Sequence, residues 1–293
     1  MQQRKGVGEN PIPSDRHFDI PQEFADFVLH DTGKEDSERI IVFGDRFMLT
    51  ELETSKFWSA NGMFKLSPTL FYQIYTIHAS VMETTPACVY AFLPNKTEKT
   101  YRRFLDIILK LAPNSAPEKI LVDFENAVIH SFAAKFPMSS LSGCYFHLTQ
   151  NFNKKIAELG LKLTYQNNAE LALAFRMIPA LAFEQLDRID ESFEKVVGEI
   201  MDVCDRYKLE QDIIDKTDQL LTYFQNYYIK QPSGRNVMFP PFLWNQELAA
   251  ANGIARNTNA VEGWHFGIQA FFSGSHPNIW KVLVGLRKDS VTQ

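Results

Sequence analysis

The stretch EKILVDFENAVIHSF, residues 118–132, carries the decision about the fold. Ile120, Leu121 and Val122 make a short apolar run that ends in Asp123, and an amphipathic stretch starts at once. A buried strand that gives way to a helix is the repeating unit of α/β sheets, and in open sheets functional groups gather at the carboxyl ends of the strands. Asp123 stands at such an end. Aspartate is also a favoured helix N-cap, so the local sequence leaves two readings of Asp123 open: a functional carboxylate and a cap.

Working outward, ERIIVFGDRFMLTELETSKFW (38–58) reads as a short strand and a helix. FWSANGMFKL, LFYQIYTIHASV and ACVYAFLP follow, rich in β-branched and aromatic residues and separated by the turn signals SPT and METTP. They predict an antiparallel meander. In NKTEKTYRRFLDIILKLAP, Thr97 is a candidate cap, Phe104, Ile107, Ile108 and Leu111 recur at helical spacing, and Pro113 closes the segment. The strand KILVDF, the helix ENAVIHSFAAKF and the strand LSGCYFH come next, and a strand–helix–strand unit makes a parallel, right-handed crossover. The expected fold class is therefore α/β, a mixed sheet with flanking helices. Residues from about 148 to 255 are helix-like almost throughout and predict a large all-helical insertion. The expected organisation is a flexible lead-in over 1–37, a first core part over 38–150, the helical insertion over 151–255, and a C-terminal helical part over 256–293.

The 293 residues are 45% hydrophobic and 22% charged, which suits a globular chain with a sizeable core. No apolar run is long enough to span a membrane, and the first residues lack the apolar core of a signal peptide. Three cysteines, Cys88, Cys144 and Cys204, fit a reducing compartment better than a disulfide framework. The expected placement is intracellular, nuclear or cytoplasmic, and not secreted, with no membrane partner. A net charge of −5 argues against a wide DNA-gripping surface, because phosphate contacts dominate such affinity. The short basic pairs Arg102-Arg103 and Lys154-Lys155 read as solvated helix faces.

Two further groups could carry chemistry. Cys144 and His147 stand in a C-x-x-H spacing, but a zinc site needs about four donors and no second pair lies near in sequence. A buried cysteine beside a helix-start histidine is the alternative. Glu262 sits among Ala260, Val261, Trp264 and Phe266, where a carboxylate needs a partner or a wet pocket. A first-turn glutamate favoured by the helix dipole is the alternative there.

These stretches together resemble the Mutator-like element (MULE) transposase domain, of the DDE class. The resemblance is carried by NGMFKLSPTLFYQIYTIHA, YAFLPNKTEKTYRRFLDIILKLAP, ILVDFENAVIHSF, GCYFHLTQN, FPPFLWN, RNTNAVEGWHFGI and GSHPNIWKVLVGL, in this order, from about residue 40 to the end. It implies a ribonuclease H-like core interrupted by a helical insertion between the second and third acids. It implies Asp123 as the second acid and Glu262 as the third, both ligands of Mg²⁺ or Mn²⁺, with Cys144 and His147 as an accessory C-x-x-H element; zinc there has no support from the sequence. In that class two metal ions held by three carboxylates promote phosphodiester cleavage and strand transfer. The implied partner is DNA at transposon ends, in a nuclear setting, with homo-oligomer formation left open.

One position departs from the pattern. The family reads Asp-Gly-Thr-Phe in its first core strand; this chain reads Asn61-Gly62-Met63-Phe64. Asn61 stands where the first acid is expected. Glu51 and Glu53 are close in sequence but are expected to point elsewhere. The family's cysteine-bearing N-terminal DNA-reading module also finds no counterpart in the first 40 residues, which contain no cysteine. The resemblance therefore implies a transposase domain impaired at its first acid, or alternatively a domesticated DNA- or protein-binding regulator without catalysis.

Overall fold

Runs of β-branched and aromatic residues bounded by turn signals can hide their side chains only when both faces of the sheet are covered. The computed structural model describes residues 10–81, 84–231, 234–251, 259–270, 272 and 276–292, leaving aside the side chains of 259, 260, 262, 265, 266, 270 and 292. Its elements are β1 (Val28–Asp31), β2 (Ile41–Phe43), α1 (Arg46–Thr54), β3 (Phe57–Met63), β4 (Gln73–Ala79), β5 (Ala87–Leu93), α2 (Glu98–Leu111), β6 (Lys119–Val122), α3 (Asn126–Lys135) and β7 (Ser140–Gly143). The helices α4 (Tyr145–Glu158), α5 (Lys162–Asn167), α6 (Ala169–Ala180), α7 (Ile189–Arg206), α8 (Gln211–Phe224), α9 (Pro241–Trp244) and α10 (Glu247–Ala251) follow, and α11 (Asn259–Ala270) and α12 (Ile279–Thr292) end the chain.

The sheet has seven strands in the order β1-β2-β5-β4-β3-β6-β7. β3, β4 and β5 form the antiparallel meander, and β6 joins β3 in parallel after the α2 crossover. This is the α/β mixed sheet with flanking helices that the sequence predicts. All seven residues of β4 and of β5 are buried, as central strands covered on both faces must be. On one face α1, α2 and α3 pack Leu52, Phe104, Ile108 and Phe132 against Trp58, Ala60, Ile120 and Val122. On the other, α11 and α12 place Ile268, Leu283 and Leu286 against Ile41, Met63, Ile74 and Phe92. Thr97 caps α2, its hydroxyl accepting from the Thr100 N–H at 3.3 Å.

By contact the chain divides into two compact units, residues 1–141 with 258–293, and 142–257. The second unit is helical, and its core gathers Phe152, Phe193, Phe224, Tyr228 and Trp244. Trp244 is fully buried and its indole N–H donates to the carbonyls of Tyr228 and Phe239, both at 3.1 Å. Among the described residues no helix is long and apolar enough to cross a membrane.

The expected flexible lead-in over 1–37 is corrected for residues 10–37; residues 1–9 lie outside the described residues. Phe18, Phe24 and Phe27 are buried in the core beneath α12, and β1 pairs with β2. Arg39, 2% exposed, donates to both oxygens of Asp31 (2.9 and 2.5 Å) and to the carbonyls of Arg16 (2.7 Å) and Phe18 (2.8 Å). Glycine, proline and charge dominate this stretch, so its three irregularly spaced phenylalanines give no periodic signal.

Candidate active site

Strand pairing positions the site. β3 and β6 run parallel with Phe57 opposite Lys119, Trp58 opposite Ile120 and Ser59 opposite Leu121. Extended two residues past the paired segment, the same register would bring Asn61 of β3 level with Asp123, just past the end of β6. Asn61 then lies in the carboxyl half of β3 and Asp123 just beyond the carboxyl end of β6. The capping alternative for Asp123 fails, because α3 begins at Asn126 and its N-cap is Glu125. Glu51 and Glu53 lie in α1, which leads into the opposite, amino end of β3, and a Glu53 oxygen accepts from the Asn114 N–H at 2.7 Å.

Asn61 is 5% exposed. Its side-chain oxygen accepts from the Gly62 N–H at 2.7 Å, and its carbonyl accepts from the Thr76 hydroxyl at 3.3 Å. The Thr76 hydroxyl also lies 3.1 Å from His78 Nε2, and His78 Nδ1 lies 3.1 Å from the Thr85 carbonyl. A carbonyl can only accept, so Nδ1 carries the proton of that bond. The His78 ring meets Trp264 of α11 edge-on at 4.9 Å, and the Trp264 indole N–H donates to the Asp289 carboxylate at 2.8–2.9 Å. The Tyr90 hydroxyl donates to the same carboxylate at 2.6 Å. This network fastens α11 to the sheet two residues from Glu262. Glu262 is the fourth residue of α11, and its side chain lies outside the described residues.

The structure adds neighbours that the sequence reading does not single out. The half-buried Glu125 accepts from the Tyr101 hydroxyl at 3.1 Å, and Tyr101 accepts from Gln73 Nε2 at 2.7 Å. Burial pushes the Glu125 carboxyl above the usual carboxylate range, against the opposing pull of the Tyr101 bond and of the Lys96 charge. The fully buried Tyr75 phenol is pushed well up, first by burial and then by the nearby charge of Asp123. The only hint in the sequence was the spacing Asp123-Phe124-Glu125, which places a second acid on the same strand-to-helix turn.

Cys144 is buried at the N-cap of α4, and His147 lies in that helix's first turn with its ring 5.7 Å from that of Phe146. Both belong to the helical unit. Among the described residues no three His, Cys, Asp or Glu side chains gather closely enough to hold an ion. The described donors here are the Asp123 carboxylate, the Asn61 amide whose oxygen already accepts from Gly62, and on the same turn the Glu125 carboxylate, which accepts from Tyr101. They do not make the two-ion centre that three acids provide.

Gly62 is required by a close approach. A Cβ on it would lie 2.4 Å from Gln73 Oε1, and Gln73 is fully buried with its amide nitrogen held by Tyr101. Gly62→Ala is therefore expected to destabilise the chain by about 1–3 kcal/mol through overpacking. Urea denaturation measures it, and an unchanged midpoint contradicts the packing described.

No curated protein matches this chain in sequence. Among solved structures it is similar to a chain of the Drosophila P element transposase strand transfer complex, at 9% identity over 86% of this chain and 81% of that chain, with a TM-score of 0.45. Residues 57–151 match the family model of the MULE transposase domain. The matched segment holds Asn61, Asp123, Cys144 and His147.

Proposed function

We propose that this chain is a transposase-type domain whose phosphoryl-transfer site is impaired at its first acid. The observation that supports the reading is the β3–β6 register, Phe57 opposite Lys119 through Ser59 opposite Leu121, which extended by two residues brings Asn61 level with Asp123, where the family's first two acids are expected. With Glu262 these positions would hold Mg²⁺ or Mn²⁺, which in this chemistry steadies the attacking and leaving oxygens of a phosphodiester. An amide preserves the shape of a carboxylate and supplies no charge, so the strand folds while the affinity for the ion falls. DNA is the partner this reading names, and the nucleus its setting.

Incubated with labelled duplex DNA and Mg²⁺ or Mn²⁺, the native chain is expected to leave the strands intact, as is Asp123→Ala. Gel analysis of the products checks this. Cleavage by the native chain that disappears in Asp123→Ala contradicts the proposed impairment.

A further inference from the structure

The carboxyl ends of β3 and β5 carry a second feature, beside the acids rather than among them. Phe64 and Tyr72 bracket the loop from β3 to β4. They are 41% and 47% exposed, and their rings meet edge to face with centroids 5.6 Å apart and planes at 83°. Scattered exposed apolar residues are ordinary on protein surfaces. Here two rings are set against each other on a short loop, beside a cleft of about 630 Å³ whose lining includes Arg16, Phe64, Thr69, Leu70, Tyr72 and His276. Among the described residues that lining carries basic groups and no carboxylate. Lys65, on the same loop, is exposed, and so is Lys96, just past the end of β5. His276 ties the wall of the cleft to the loop: its N–H donates to the Lys65 carbonyl at 2.8 Å, and its Nδ1 lies 3.0 Å from the Ser67 carbonyl.

The chemistry that fits is a flat aromatic group joined to an anion. An apolar peptide would leave the cations unused, and an acidic peptide would leave the ring faces without a planar partner. A nucleotide uses both, since every base offers a π-face and every phosphate a charge. The cleft is large enough for one such unit. We propose that Phe64 and Tyr72 form a stacking platform for an unpaired base of single-stranded DNA, with Arg16 and Lys65 meeting its phosphates. The proposal rests on the reading of residues 57–151 as a DNA-acting domain and adds the strand form that the site holds.

The test uses the full chain and a single-stranded oligonucleotide carrying 2-aminopurine, with the matching duplex as the second arm. The native chain is expected to bind the single strand more tightly than the duplex and to quench the 2-aminopurine on binding. The double variant Phe64→Leu/Tyr72→Leu keeps apolar bulk but no ring faces. It is expected to bind the single strand about tenfold or more weakly and to lose the quenching, while its thermal melting stays close to native. Phe64→Tyr is expected to keep both affinity and quenching, which separates ring chemistry from a folding defect. Arg16→Gln is expected to lower the slope of log affinity against log salt by about 0.7, the value for one phosphate contact on a single strand. Equal affinity and quenching in the double leucine variant overturns the platform. So does a native chain that binds duplex as well as single strand, or neither. Each of these results leaves the metal-binding test of Asn61 standing by itself, so the two readings fail separately.

Discussion

Asn61→Asp is expected to bind Mn²⁺ about tenfold or more tightly than the native chain. The amide oxygen of Asn61 accepts from the Gly62 N–H and carries no net charge. A carboxylate in the same place has two oxygens, so one can keep that bond while the other turns to an ion. The Coulomb attraction of a unit charge for a divalent ion a few ångströms away is several kcal/mol even at an effective dielectric near 20. Desolvation takes back much of it, because the position is almost fully buried. A net gain on the order of 1–3 kcal/mol corresponds to roughly tenfold or more in affinity. The same burial gives a companion result. Without an ion the introduced carboxylate is left beside Asp123 and the variant is expected to melt below the native chain; with Mn²⁺ it is expected to recover more melting temperature than the native chain gains, since a ligand stabilises the state that binds it.

Asp31→Ala is expected to cost about 3 kcal/mol of stability. Arg39 is 2% exposed and its charge is answered by the Asp31 carboxylate, with the carbonyls of Arg16 and Phe18 accepting from its Nη1. The Phe18 ring lies 4.6 Å from the guanidinium carbon. Removing one partner of a buried pair strands the other charge away from water, a loss of about 3–5 kcal/mol in comparable sites. The two backbone carbonyls keep the expected loss at the lower end. Replacing both groups, as Asp31→Ala with Arg39→Met, is expected to cost less than the sum of the single changes, because no stranded charge remains. Urea denaturation of the four proteins gives the cycle, and additive losses contradict the coupling.

Much of the frame was legible in the sequence. β3, β4 and β5 announce themselves by aromatic and β-branched runs between Pro-containing turns, and α2 by its apolar spacing after Thr97. The step from Val122 to Asp123 marks the end of β6 for the same local reason. What pairing adds is not local. That Asn61 falls beside Asp123 depends on the register of β3 against β6, and no single strand encodes its partner's register. The Gln73–Tyr101–Glu125 chain was hidden for a similar cause: it joins β4, α2 and the turn after β6, which meet only when α2 packs on the sheet. The N-terminal segment was misread because Arg39 holds it from outside the segment itself. The part of the site carried by Glu262 rests on the resemblance, with only its place in α11 described.

The proposed lesion is Asn61, at a site that Asp123 still marks. Calorimetric titration of Mn²⁺ into the native chain, Asn61→Asp, and Asn61→Asp combined with Asp123→Ala tests it most directly. Asn61→Asp is expected to gain about tenfold or more in affinity over the native chain, and adding Asp123→Ala is expected to abolish the gain. Equal affinities for the native chain and Asn61→Asp, or a gain that survives Asp123→Ala, would contradict it.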